Sequence, residues 1–206
     1  MPTPAYPFQG YESEDADYQE MMNFIIRVES IQAEALGEWM MKEFRWLRSV
    51  IDIGCGPGIY LLPYQRHGCE IYGVDACTSA GGLLMPFEFG RWDLRFPFFP
   101  PHLFDLAICF EVAEHLKEEY SDILLDSVSR SADLVLWTAA VPGQGGTFHY
   151  NEQPHGYWLD KFKDLGYSIH SKQPDLRKFL SQFEPHRERG EVSGWLLDNS
   201  FLLYRK

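Results

Sequence analysis

Val50-Ile51-Asp52-Ile53-Gly54-Cys55-Gly56-Pro57-Gly58 joins a short β-branched run to three glycines at alternate positions. Ser49 to Ile53 has the make-up of a buried parallel strand, and the glycines let the backbone turn sharply beneath a ligand. A second run, Glu70-Ile71-Tyr72-Gly73-Val74, ends in Asp75. That acid lies at the roughly 20-residue distance that brings a carboxylate to the hydroxyl pair of a ribose. The two runs together describe a cradle for a ligand containing a nucleoside.

A dinucleotide site would need a third glycine opening the following helix, so that a pyrophosphate can rest on its N-terminus. Ile59 stands there instead, and Asp52 sits inside the strand end. A carboxylate at that point repels a pyrophosphate but suits a ligand ending in an ammonium group. In these residues the chain resembles the class I S-adenosylmethionine-dependent methyltransferases. Their first motif, Asp/Glu-x-Gly-x-Gly-x-Gly, is matched by Asp52, Gly54, Gly56 and Gly58. The likeness continues through Arg91-Trp92-Asp93-Leu94 and through the run Phe104 to Leu116, and spans about residues 45 to 140. Ala140 to Gln153 is similar to a bacterial and phage subgroup of these enzymes.

The resemblance implies S-adenosylmethionine as cofactor, held by Asp52, Gly54, Cys55, Gly56 and Gly58, by Asp75 and Ala76, by Asp93 and Leu94, and by Phe110 and Glu111. It implies a three-layer, doubly wound α/β fold, Rossmann-like, with a seven-stranded, mostly parallel sheet whose last strand is antiparallel. Alternation of strand-like and helix-like segments along the chain independently implies a parallel doubly wound sheet.

With 206 residues and 45% apolar content the chain can build one domain with a full core. Residues 1–14 read as a flexible arm, 15–48 as an N-terminal helical segment broken near Gly37, and 49–206 as the Rossmann-like core. Beyond the first two strands, helices are expected over Ile59 to Gly68, Glu118 to Arg130, Pro154 to Leu165 and Asp175 to Phe183. Further strands are expected at Phe89 to Asp93, before Glu111, at Asp133 to Ala139 and Tyr167 to Ser171, and over Leu196 to Tyr204. Tyr18, Met22 and Trp39 on the helical segment are candidates for a lid.

The net charge of −12, from 18 Lys and Arg against 30 Asp and Glu, argues against a nucleic-acid partner, because phosphate affinity rests on cationic side chains. Nor does the fourth strand lead into the Asn/Asp-Pro-Pro-Tyr/Phe tetrapeptide common in amino-methylating nucleic-acid and protein enzymes of this fold. Cys109-Phe110-Glu111-Val112 stands there. The sequence has no apolar leader and no run long enough to span a bilayer. With four cysteines lacking a Cys-x-x-Cys pair, the expectation is a cytoplasmic protein with reduced thiols.

Methyl transfer from a sulfonium needs alignment and exclusion of water, and needs a base only where the acceptor carries a proton. The crevice of such a sheet lies beyond the carboxyl ends of its strands. The loop after the fifth strand reaches that end and is rich in polar groups: Gln144, Thr147, His149, Asn151 and Glu152. His149 is the expected base and His115 the second candidate, while Gln144, Thr147, Asn151 and Glu152 are substrate candidates. No metal is expected: the grouping of His149, Glu152 and His155 matches no zinc-binding spacing. The expected function is in-line methyl transfer to a hydroxyl or amine of a small molecule such as a sugar or other metabolite. A non-catalytic cofactor-binding scaffold or sensing module is the competing expectation.

Overall fold

The computed structural model describes residues 15–77 and 80–206, with the side chains of 15–19 and 21 left aside. The arm at 1–14 and the side chain of Tyr18 therefore lie outside the described residues. Seven strands form one sheet: β1 (Ser49–Ile53), β2 (Glu70–Asp75), β3 (Phe89–Arg91), β4 (Leu106–Cys109), β5 (Leu134–Trp137), β6 (Tyr167–Ile169) and β7 (Phe201–Arg205). Their order is β3-β2-β1-β4-β5-β7-β6. The first five pair in parallel, and β7 is antiparallel to both β5 and β6. The chain winds from β1 outward through β2 to β3, then returns to place β4 on the other side of β1. The carboxyl ends of β1 and β4 thus flank the switch point where α/β sheets bind ligands.

Alternate residues of each strand go to opposite faces, which sorts the core into two layers. Val50, Ile71, Leu106, Ile108, Leu134, Leu136 and Leu202 pack with α1 (Asp15–Glu43), α2 (Leu62–Arg66), α5 (Gln173–Leu180) and α7 (Trp195–Asn199). Ile51, Ile53, Val74, Ala107, Val135, Trp137 and Leu203 pack with α3 (Ser121–Ser131) and α4 (His155–Asp164). Trp137 and Trp158 interlock on this second face, ring centroids 5.4 Å apart. A further short helix, α6 (Glu184–Glu188), lies in the segment leading to α7.

Several boundaries differ from expectation. Gly37 does not break the N-terminal segment; α1 runs through it unbroken. A Cβ at Gly37 would lie 2.3 Å from Cβ of Pro63, so its bare backbone admits α2 rather than ending a helix. The helix expected from Ile59 is confined to Leu62–Arg66, with the glycine turn continuing as further turns up to Leu61. The last strand begins five residues late, because Trp195–Asn199 coil into α7 and put Leu196 and Leu197 together into the core. That helix carries Trp195 and Asn199 to the site described next.

Candidate active site

Where β1 ends, the backbone turns through Gly54 with φ +82°, a left-handed conformation that a Cβ makes costly. Space forbids a side chain as well, since a Cβ there would stand 2.3 Å from Cγ2 of Val112. The turn is fixed by the amides of Gly54 and Cys55, both donating to the carbonyl of Val74 at 2.7 and 3.0 Å. Asp75 closes it from β2: its carboxylate accepts from the Gly56 amide at 3.0 Å and the Cys77 amide at 2.9 Å. Burial raises the Asp75 carboxyl above its ordinary range, and the Cys77, Gly56 and Ala76 amides oppose the rise. Asp52 is only 3% exposed. Burial, with the charge of Asp75 beside it, pushes its carboxyl well up. A carboxyl so placed is best satisfied by a cationic neighbour.

These residues line a crevice of about 400 Å³ that runs from Asp75, Ala76 and Cys77 past Asp52 and Gly54 to the polar loop after β5. That volume lies within the range of small-molecule and cofactor sites. Asp93 and Leu94 line it near the β2 end, although both carboxylate oxygens of Asp93 already accept from Arg95, at 2.6 to 3.0 Å.

Phe110 follows β4, its ring 5.0 Å from Tyr60 and 5.7 Å from Trp195. The next residue, Glu111, takes φ +49°, a strained setting for a residue with a Cβ. It is held there by its amide, which donates to the Thr138 hydroxyl at 3.0 Å. Its carboxylate accepts from Gln144 at 2.6 Å and from Asn199 at 3.4 Å. Across the crevice, Glu29 of α1 accepts from Tyr60 and Trp195, each at 3.0 Å, and from Ser193 at 3.2 Å. Burial outweighs these bonds and raises its carboxyl to about 7.

His149 rests over Gly146, where a Cβ would meet the ring Nε2 at 2.3 Å. Its Nδ1 lies 2.9 Å from Glu152. Glu152 also accepts the amides of Gly143 and Gly145, both at 2.7 Å, so one carboxylate fixes both the glycine loop and the imidazole. His115, in the single 3-10 turn Ala113–His115 after β4, has Nδ1 3.3 Å from the Phe148 carbonyl. The two imidazoles stand edge to face, 5.0 Å apart. Burial, and then His149, lower His115 to about 4, which keeps it neutral near pH 7.

Of the residues expected at the site, Asp52, Gly54, Cys55, Gly56, Asp75, Ala76, Asp93, Leu94, Phe110, Glu111, His115, Gln144, Thr147 and His149 all line this crevice, and so does Met22. Others lie outside it. Gly58 serves the turn from behind, packed toward Leu84. Asn151 is buried between the Ser121 hydroxyl and Gln153, a loop anchor rather than a substrate contact. Glu152 likewise acts through His149 and the loop amides. Trp39 stacks on Phe179 at 5.4 Å and packs α1 against α5, so it is no lid. His155 turns away to Asn199, 3.1 Å distant, and does not join His149 and Glu152.

The sequence did not point to Phe24, Tyr60, Val112 or Trp195 as crevice residues. Glu29 carried a signal: an acid standing within the apolar stripe of an amphipathic helix is either paired or functional.

A family model described as a methyltransferase domain matches residues 14–140, more than half of the chain. The chain belongs to that family. Glycine turn, sheet order and family together make it a class I S-adenosylmethionine-dependent methyltransferase. No curated protein sequence matches the methyltransferase, while solved structures share its fold at low identity. It is similar to magnesium protoporphyrin IX methyltransferase from Synechocystis PCC 6803, solved with bound S-adenosylhomocysteine. That likeness has 18% identity and a TM-score of 0.64, and covers 95% of this chain and 96% of the other. It is also similar to a sugar N-methyltransferase from Streptoalloteichus sp ATCC 53650, at 12% identity and TM-score 0.65, covering 91% and 92%. A third similar structure, a small RNA methyltransferase, shows 17% identity and TM-score 0.54 over 82% of this chain and 24% of the other. At these identities the methyltransferase shares a fold with all three.

Proposed function

We propose that the protein transfers a methyl group from S-adenosylmethionine to a hydroxyl or amine of a small molecule, such as a sugar or another metabolite. The observation that carries the proposal is the continuity of the crevice, from the Asp75-capped glycine turn to the imidazoles of His115 and His149. Gly54 and Gly56 leave the floor bare, Asp75 offers a carboxylate for ribose hydroxyls, and Asp52 suits an ammonium. When bound, the cofactor supplies an electrophilic methyl carbon on a sulfonium.

The remaining work falls to this chain's residues. Phe110, Tyr60 and Trp195, with Met22 and Phe24 of α1, give that end of the crevice apolar walls, which keep water from a cationic donor. Glu111, braced by Gln144 and Asn199, sets the boundary between donor and acceptor. Glu152 accepts a hydrogen bond from the Nδ1–H of His149, which in the neutral ring leaves the Nε2 lone pair to take the acceptor's proton. The relatives' named substrates range from a porphyrin and a sugar to an RNA. The charge of −12 and the small crevice favour the small molecules among them. A cytoplasmic setting belongs to the same proposal: Cys55, Cys69 and Cys109 are free thiols in the core, and no helix among the described residues is long and apolar enough to cross a membrane.

Calorimetric titration with S-adenosylhomocysteine, followed by mass-spectrometric screening of a metabolite extract for methylated products, tests the proposal. Binding together with a new methylated small molecule is the expected result. A folded sample that binds nothing, or that methylates only nucleic acid, overturns it. His149→Ala is expected to lower turnover at least about 100-fold with cofactor affinity unchanged.

A further inference from the structure

Glu114 is the least explained group in the molecule. It is fully buried, yet neither carboxyl oxygen has a hydrogen-bond partner among the described residues. The Glu111 carboxyl and the Ala140 amide approach it without regular hydrogen-bond geometry. Buried polar atoms in folded proteins are nearly always paired, and an exception calls for a missing partner such as an ion. Three facts identify that partner.

One ligand-type atom from each of Glu114, His115 and His149 lies within 4.8 Å of the other two, the span of a shared coordination sphere. Both imidazoles are also prepared as ligands. A carboxylate or carbonyl facing Nδ1 can only accept, so the Nδ1–H of His149 donates to Glu152 and the Nδ1–H of His115 donates to the Phe148 carbonyl. In its neutral form each ring then carries its lone pair on Nε2. Histidines that bind metals are oriented in this way, by a carboxylate or a backbone carbonyl on the opposite nitrogen. Finally, the cluster is preassembled. The Glu114 carbonyl accepts the Tyr150 and Asn151 amides at 2.8 and 3.1 Å, which ties the turn bearing Glu114 and His115 to the loop bearing His149.

We propose that Glu114, His115 and His149 bind a divalent first-row cation, Mn²⁺, Co²⁺ or Zn²⁺, at the acceptor end of the crevice. Two imidazoles and a carboxylate match the ligand preferences of these ions better than those of Mg²⁺ or Ca²⁺, which favour all-oxygen sets. Glu111 beside Glu114 brings a second carboxylate near the site, so the pair can balance the ion's charge. Glu111, His115 and His149 line the crevice, so the open side of the ion faces the space assigned to the acceptor. A cation there orients an acceptor through the donor atom, oxygen or nitrogen, that fills its open side. This last step rests on the transferase reading, while the cation site does not; with the ion bound, Nε2 of His149 is a ligand and no longer a base, so His149 then serves the acceptor through the ion.

The full-length chain, stripped of metal and desalted, is titrated with Co²⁺ and followed by visible d–d absorption and by paramagnetically shifted histidine ring protons. A single equivalent with two shifted imidazoles is expected. Glu114→Gln keeps the shape of the buried side chain and should weaken binding about 100-fold or more, whereas Glu152→Gln, one bond further out, should cost about 10- to 100-fold. His149→Ala, a less buried position, should remove one shifted imidazole. Absence of Co²⁺ uptake by folded wild-type protein overturns the proposal, as does uptake unchanged by both Glu114→Gln and His149→Ala. S-adenosylhomocysteine titration of the same samples separates the two readings. Cobalt without cofactor binding sinks the transferase and leaves the cation site, and the reverse sinks only the cation site.

Discussion

Glu29 ties the stability of the fold to pH in a direction opposite to that of most carboxylates. Its ordinary value of 4.5 rises to about 7 in the folded chain, chiefly through burial. Below 4.5 the group is protonated whether the chain is folded or not, and its contribution is fully present. Between 4.5 and 7 the unfolded chain ionises while the folded chain holds its proton, so stability falls as pH rises, and above 7 the loss is complete. A shift from 4.5 to about 7 corresponds to about 3 kcal/mol. Glu29→Gln removes the titration and retains the geometry. The amide oxygen can still accept from Trp195 and Ser193, and the amide nitrogen can donate to Tyr60, the three partners that the carboxyl holds now. Urea unfolding of both proteins from pH 4.5 to 8 measures the difference directly, because every other titrating group is common to the two. The variant should gain on the wild type by about 3 kcal/mol across that range, with most of the gain arriving below pH 7. A difference that stays flat with pH, or a variant that loses ground as pH rises, would refute the placement of Glu29 as a buried, proton-holding group.

Gly37→Ala should destabilise the protein by about 1–3 kcal/mol, against the helix propensity that favours alanine, because the new Cβ meets Pro63; chemical unfolding checks the sign. Gly54→Ala should abolish S-adenosylhomocysteine binding in calorimetry, and adding Val112→Ala should relieve the clash but not the strain of φ +82°. Asp75→Ala should weaken cofactor binding about 10-fold or more and also lower stability by about 1–3 kcal/mol in chemical unfolding, since it leaves the Gly56 and Cys77 amides without their acceptor. Asn199→Ala frees Gln144 and one side of Glu111, and should raise KM for the acceptor more than it changes cofactor affinity.

The donor half of the site was legible because it is made of contiguous backbone. Gly54 and its neighbours encode a turn by local conformation, and Asp75 reaches that turn because β2 lies beside β1 in register, Asp52 opposite Gly73. An unbroken apolar run, as in Leu134 to Trp137, likewise announced a strand buried on both faces. The acceptor half is built from pieces far apart in sequence, each ordinary where it stands. Glu29 is one acid in a long helix. Leu196 to Asn199 read as strand because apolar residues precede Phe201, and only packing on α5 decides that they coil and swing Asn199 toward Glu111. Glu114 and His115 read as a helix start, and His155 was as eligible a partner for His149 as His115. What selects between them is β4, which delivers a single 3-10 turn to the Phe148 carbonyl while α4 carries His155 toward Asn199. A spacing rule can find ligands that share one helix or loop, but this cluster is closed by two backbone hydrogen bonds between segments far apart in the chain, from Tyr150 and Asn151 to Glu114, and that information resides in the fold.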